Sequence, residues 1–143
     1  MTFAFTTNDV VRAVKELDGE AVTPRVLGHW AAHGIALPSV EYPRTKGRRP
    51  RRYSAQDVAR VRLIVRLRRA GLSLARVRVV LMGLAADLPE LLGRRSSAVI
   101  RVDGWTVVIE RPGQAARELP TGQLRLPLAS VVLSDREARR FAA

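Results

Sequence analysis

Cysteine is absent from the 143 residues of this chain, and histidine occurs only twice, as His29 and His33. The first absence excludes disulfides, thiolate zinc sites, iron–sulfur clusters and cysteine nucleophiles. The second leaves too few imidazoles for an all-histidine metal site. Neither a metal nor a cofactor is therefore expected. Long hydrophobic runs are lacking too. A stretch such as Val77 to Ala86 is interrupted by Arg78 and Gly83 and falls well short of the ~20 apolar residues that span a bilayer. Met1 to Asp9 shows no basic segment leading into an apolar run, so no targeting signal is expected and the protein is expected in the cytoplasm, at the nucleoid, away from membranes. No P-loop or GxGxxG string occurs, and no Ser-His-Asp or paired-carboxylate pattern stands out. Catalysis is not expected.

Acidic residues are the other scarce class: 13 Asp and Glu against 25 Lys and Arg, for a net charge of +12. The imbalance is local. Residues 44–78 carry 13 basic residues and 1 acidic, whereas residues 1–43 carry 3 and 5 and residues 79–143 carry 9 and 7. A basic block confined to one stretch of chain is the electrostatic footprint of a polyanion partner. All but two of the 25 are arginine, which binds phosphate or guanine bidentately where lysine acts as a point charge. A GC-rich genome explains part of that ratio but not the clustering. With 47% apolar residues, the chain has enough to bury a core.

The hydrophobic periodicity predicts a helix over 8–17, with Thr7 or Asn8 as N-cap and Asp18-Gly19 as its stop. Thr23-Pro24 predicts the start of a second, running to His33 and closed by Gly34 as a left-handed cap. Two helices joined by a turn describe a helix-turn-helix. Residues 38–53, punctuated by Pro38, Pro43, Gly47 and Pro50, cannot be helical and are expected to form a basic β-hairpin, a wing. Ser54, with Asp57 three residues on, opens a third helix over 55–69. On it Val58, Val61, Ile64 and Val65 face one way and Arg62, Arg66 and Arg69 another, a stripe that is either an exposed solubilising face or a phosphate contact. Gly71 ends it and Ser73 caps a fourth helix, with Val77, Val80, Leu81 and Leu84 buried and Pro89 and Gly93 marking an end or a break. From Ser97 the period changes to two. Strands are expected over 98–102 and 105–109 about Asp103-Gly104, a third over 123–128 that Pro127 confines to an edge, and a short helix after the Ser134/Glu137 capping box.

The run Val22-Thr23-Pro24-Arg25-Val26-Leu27 with Gly34-Ile35 resembles the recognition-helix signature of MerR-type winged helix-turn-helix regulators. Arg51-Arg52-Tyr53-Ser54 with Asp57-Val58 resembles the end of that family's wing and the start of its third helix. Leu67-Arg68 and Ala70-Gly71-Leu72-Ser73-Leu74 resemble its link into a fourth. The resemblance covers roughly the first three-fifths of the chain. The departures are specific. The first turn is longer, and Leu27-Gly28-His29-Trp30 stands where many members have Leu-Arg-Tyr-Tyr. The long dimerising helix of sensor members has no counterpart after Leu81, and their metal-binding cysteines are missing. Metal sensing is not implied.

The expected fold is mainly α with a β appendage: a four-helix winged helix-turn-helix over residues 1–88 and a small β-rich region over 97–143 with a short terminal helix. The appendage is a candidate for dimerisation, partner binding or effector binding. The expected function is that of a bacterial-type, sequence-specific regulator on double-stranded DNA, probing the major groove with Thr23 and Arg25. Arg44, Lys46, Arg48, Arg49, Arg51 and Arg52 would lie on the flanking backbone. Tyr53, His29 and Arg62 complete the candidate set, Tyr53 and His29 each with packing as the rival role. Repression or autoregulation by a homo-oligomer, a dimer or a head-to-tail array on repeated half-sites, is the leading expectation. An antitoxin whose tail engages a toxin, and an excisionase-like DNA-bending protein, are the alternatives.

Overall fold

The structure, a computed structural model, describes residues 3–36, 38–39, 51–93, 96–103, 106–111 and 124–142. Most of its helices begin on one local device. A buried apolar residue precedes a Ser or Thr N-cap, and a second buried apolar residue follows four positions after the cap. Phe5-Thr6 and Val10 open α1 (Thr7–Asp18); Val22-Thr23 and Leu27 open α2 (Pro24–Ala32). Tyr53-Ser54 and Val58 open α3 (Ala55–Arg69); Leu72-Ser73 and Val77 open α4 (Leu74–Gly83). A four-residue α5 (Leu88–Leu91) follows, with Pro89 in its first turn, and α6 (Asp135–Phe141) starts on Leu133-Ser134 and Ala138. At α1, α3 and α6 a carboxylate three residues after the cap bonds back to it, Asp9, Asp57 and Glu137 respectively. The expected caps at Ser54, Ser73 and Ser134 hold. The first helix is capped one residue earlier than expected, by Thr6, because only Asp9 is placed to close the reciprocal box.

Two small antiparallel sheets accompany the helices. In the first, β1 (Phe5–Thr6) pairs with β2 (Arg52–Tyr53), Phe5 opposite Tyr53. The second has the order β4-β3-β5, from β3 (Val99–Asp103), β4 (Thr106–Glu110) and β5 (Leu124–Pro127). Both hairpin strands sit one residue later than expected, and β5 is the edge strand that Pro127 requires. Ile100, Val102 and Leu126 face the core from this sheet. Arg101 and Arg125 sit opposite each other on the other face, and the Glu110 carboxylate lies 3.4 Å from Arg101 Nε and 3.9 Å from Arg125 Nε. That placement offsets the repulsion of two like charges in register.

One hydrophobic cluster joins the two ends of the chain. It runs from Phe5, Val10 and Val14 through Val61, Ile64 and Val77 to Leu128, Val131 and Phe141. α6 packs on α1, where Arg12 Nη2 donates to the Phe141 carbonyl at 3.1 Å and Arg140 pairs with Glu16. Among the described residues, no helix is long and apolar enough to cross a membrane.

At the centre lies a buried ionic knot. Asp18, the last residue of α1, has no exposed side-chain surface. A carboxylate there is disfavoured by the helix dipole, and burial adds a desolvation cost. Arg62 of α3 answers both with a two-pronged bond, Nε to Oδ2 at 2.8 Å and Nη2 to Oδ1 at 3.1 Å, while Arg66 Nε reaches Oδ1 at 3.0 Å. The third arm of Arg62, Nη1, donates to the Val131 carbonyl at 3.0 Å. Arg69 closes the rim on Glu20 and on the Asp18 carbonyl. The arginine stripe of α3 is thus neither a solubilising face nor a phosphate contact. Arg62 is withdrawn from the DNA-binding set because its guanidinium is buried and committed to Asp18 and Val131.

Asp18→Ala should therefore lower stability by about 3–5 kcal/mol, the cost of leaving a buried cation unpaired. Arg66→Ala, at a side chain 27% exposed, should cost only about 1–2 kcal/mol. Urea unfolding of the two variants beside the unaltered protein checks the difference, and equal losses would place the knot's weight on the wrong arginine.

Candidate nucleic-acid interface

α2 buries one side and offers the other. Leu27 and Trp30 point into the core, whereas Thr23, Arg25, Val26, His29 and His33 are exposed. Trp30 accordingly packs between the helices, as expected. The Thr23 hydroxyl accepts from Val26 N at 3.1 Å, and Pro24 occupies the first turn, where its missing N–H leaves no orphan. At the other end His33 is the cap residue and Gly34 takes φ +68°. The Ile35 amide then bonds back to the Trp30 carbonyl at 2.8 Å and the Gly34 amide to Ala31 at 3.1 Å, a Schellman closure. The rings of His29 and His33 meet edge-on at 4.1 Å on the exposed side.

Both ends of the basic segment are anchored beside the start of α3. On the entry side, Ser39 N donates to Asp57 Oδ2 at 2.9 Å and Ser39 Oγ to the same oxygen at 2.6 Å. Asp57 Oδ2 also receives Ser54 N at 2.8 Å, so one carboxylate caps α3 and holds the incoming chain. On the exit side β2 is tied to β1. Arg44, Lys46, Arg48 and Arg49 lie between these anchors, outside the described residues.

Arg51 is the link between the two parts. Its guanidinium lies over Gly28 so closely that a Cβ at that position would sit 2.7 Å from Nη1. Arg25, Gly28 and His29 share one helical face, so the structure brings Arg25, His29 and Arg51 to a common exposed surface. Arg52, half-buried, donates from Nη1 to the Arg51 carbonyl at 3.2 Å. α2 is also free of acidic residues in its first turn, unlike α1, α3 and α6. Its positive end is left unneutralised beside exposed cations.

Tyr53 does not join them. The side chain is fully buried, the ring closes the core next to Phe5, and the hydroxyl has no exposed surface from which to meet a phosphate. Its approach to the Thr7 side chain falls short of hydrogen-bond geometry. Burial pushes the phenol pKa above its ordinary 10.0, and the neighbouring Arg51 charge pulls against that rise. Tyr53 is therefore corrected from a phosphate donor to a core residue. The Ser39–Asp57 anchor and the Arg51–Gly28 contact are what sequence reasoning missed. A glycine inside a predicted helix was the available signal for the second, since it marks a place where something approaches closely.

Residues 9–84, more than half of the chain, match the family described as MerR HTH family regulatory protein. No curated protein matches the chain.

Tyr53→Phe removes a buried hydroxyl that has no full partner, so stability at pH 7 should be unchanged or higher by about 1 kcal/mol. The unaltered protein holds the phenol neutral when folded but ionises it when unfolded. It should therefore lose stability as pH rises through about 10 towards the folded pKa, and the Phe variant should lose less. Urea unfolding of both proteins between pH 8 and 11 makes the comparison, and parallel curves would refute the burial of Tyr53.

Proposed function

The chain belongs to the MerR HTH family of regulatory proteins, and on that footing we propose that it is a sequence-specific regulator that lays α2 in the major groove of double-stranded DNA. One observation carries the reading: the acid-free leading end of α2 is exposed, with Arg51 held against the same helix at Gly28. Thr23 and Arg25 then face base edges, where an arginine forms a two-pronged pair with guanine. His29, Arg51 and Arg52, with Arg44, Lys46, Arg48 and Arg49, take the phosphates and displace condensed counterions.

Repression or autoregulation fits the chain's course after α4. The helix stops at Gly83, and a short turn leads into the four-residue α5; α4 does not continue into a long coiled coil. A single module of this size buries modest surface on DNA, so pairing on repeated half-sites supplies the remaining specificity. The antitoxin and DNA-bending alternatives draw no support from any particular residue pair. In the tail, Leu128, Val131 and Phe141 are committed to the core that holds α1 and α3.

Selection of bound duplexes from a random pool, at stated salt, tests the proposal directly. A family of related sequences should be enriched, and an unenriched pool would overturn it. Replacing Arg48, Arg49, Arg51 and Arg52 by Ala should weaken binding to all sequences alike. It should also flatten the dependence of log affinity on log salt by about 0.9 for each phosphate no longer neutralised. Arg25→Ala should instead change which sequence is preferred, with about 1–3 kcal/mol lost at the base it reads. Uniform loss at every sequence would make Arg25 a backbone clamp.

A further inference from the structure

Among the described residues, Gly28 is the only glycine inside a helix; the others stand at helix ends or beyond them. Its backbone is helical and its φ lies outside the left-handed region, so the conformation does not require glycine. In a nine-residue helix the choice is unfavourable, because glycine gives up more backbone freedom on folding than any other residue. What the position requires is room. A Cβ there would lie 2.7 Å from Arg51 Nη1 and 3.5 Å from Arg51 Cζ. The guanidinium thus occupies the place where a side chain of α2 would begin. Pro24 and Ala32, about one turn to either side on the same flank, are exposed and carry no long side chain that could fill it.

The other end of Arg51 is fixed as well. It directly precedes β2, whose Tyr53 is fully buried opposite Phe5. Root and tip are therefore held by different elements, the β1–β2 pair and α2. Among the described residues no ion pair claims the guanidinium, and α2 has no acid in its first turn. The charge is held in place and left available to an anion.

We propose that Gly28 is a positioning residue. It seats Arg51 so that a guanidinium from the basic segment serves as a side chain of α2 and clamps one DNA phosphate at the edge of the groove. The inference rests on the reading of α2 as the helix in the major groove. Position 28 stands about 60° round the helix from Arg25 at 3.6 residues per turn. A major groove about 12 Å wide leaves little space beside a helix about 10–12 Å across. A group on that flank therefore meets the phosphate wall while Arg25 meets the base edges. Seating the guanidinium beforehand removes much of the rotamer freedom that a long side chain otherwise loses on binding. It also fixes where α2 stands against that phosphate, and hence which base pair Arg25 reaches.

Gly28→Ala tests this without removing a charge. The obstructed atom is the tip of a flexible side chain, so the guanidinium swings away while the fold is kept, and alanine is the better helix former. The urea midpoint should stay level or rise. Affinity for a duplex selected by the unaltered protein should nevertheless fall about 3- to 10-fold, the loss expected when one long side chain must be ordered on binding. Arg51→Ala should weaken binding at least as much. Adding Gly28→Ala to Arg51→Ala should then change affinity by less than about twofold, because the seat has nothing left to hold. Gly28→Arg on the Arg51→Ala chain roots an arginine on α2 itself and should recover most of the lost affinity. Unchanged affinity in Gly28→Ala, or losses that simply multiply in the double variant, would overturn the seat and leave the DNA reading intact. An unaltered protein that enriches no duplex would overturn both.

Discussion

A single buried carboxylate organises this molecule. Asp18 terminates α1 where its own helix dipole opposes it, and it is tolerated only because Arg62 and Arg66 of α3 converge on it. Such a knot contributes geometry more than net energy. Apolar packing of the same volume is often as stable, but it does not fix one helix against another by directed bonds. Arg62 extends the same constraint to the tail through the Val131 carbonyl. The angle between α1 and α3, and the position of the segment leading to α6, thus share one source.

That scaffold sets the exposed side of α2. α1 and α3 hold α2 from behind through Leu27 and Trp30, and the start of α3 holds both ends of the basic segment through Asp57 and the β1–β2 pair. Negative charge is distributed to match. Asp9, Asp57 and Glu137 neutralise the starts of α1, α3 and α6, whereas α2 has none. The electrostatic contrast between α2 and most of its neighbours is built from capping residues, and it reinforces the arginine block that surrounds it.

The local devices were legible in the sequence. Thr23-Pro24, Ser54 with Asp57, Ser73, and Ser134 with Glu137 are written in consecutive residues, and each predicted a helix start found in the structure. The long-range pairings were not. Nothing near Arg62 announces that its partner is Asp18, 44 positions away, so a regular arginine stripe read as surface. Tyr53 misled for a related reason. An aromatic beside a basic run suggests stacking or a phosphate bond, but its position just before the Ser54 cap makes it the buried half of a staple with Val58. Phe5-Thr6 gave too short a pattern to read as a strand, since its partner Arg52–Tyr53 is supplied from the far side of the wing.

The bonds from Arg12 to Phe141 and from Arg62 to Val131 also impose an order on biosynthesis. On the ribosome, α1 and α3 emerge long before the residues that complete their packing, so the N-terminal half waits with apolar surface uncovered and with Asp18 and Arg62 incompletely shielded. A polypeptide lacking residues 131–141 would keep that apolar surface open to water and to other chains. The separation in sequence between the two ends of the core thus sets how long that surface stays uncovered.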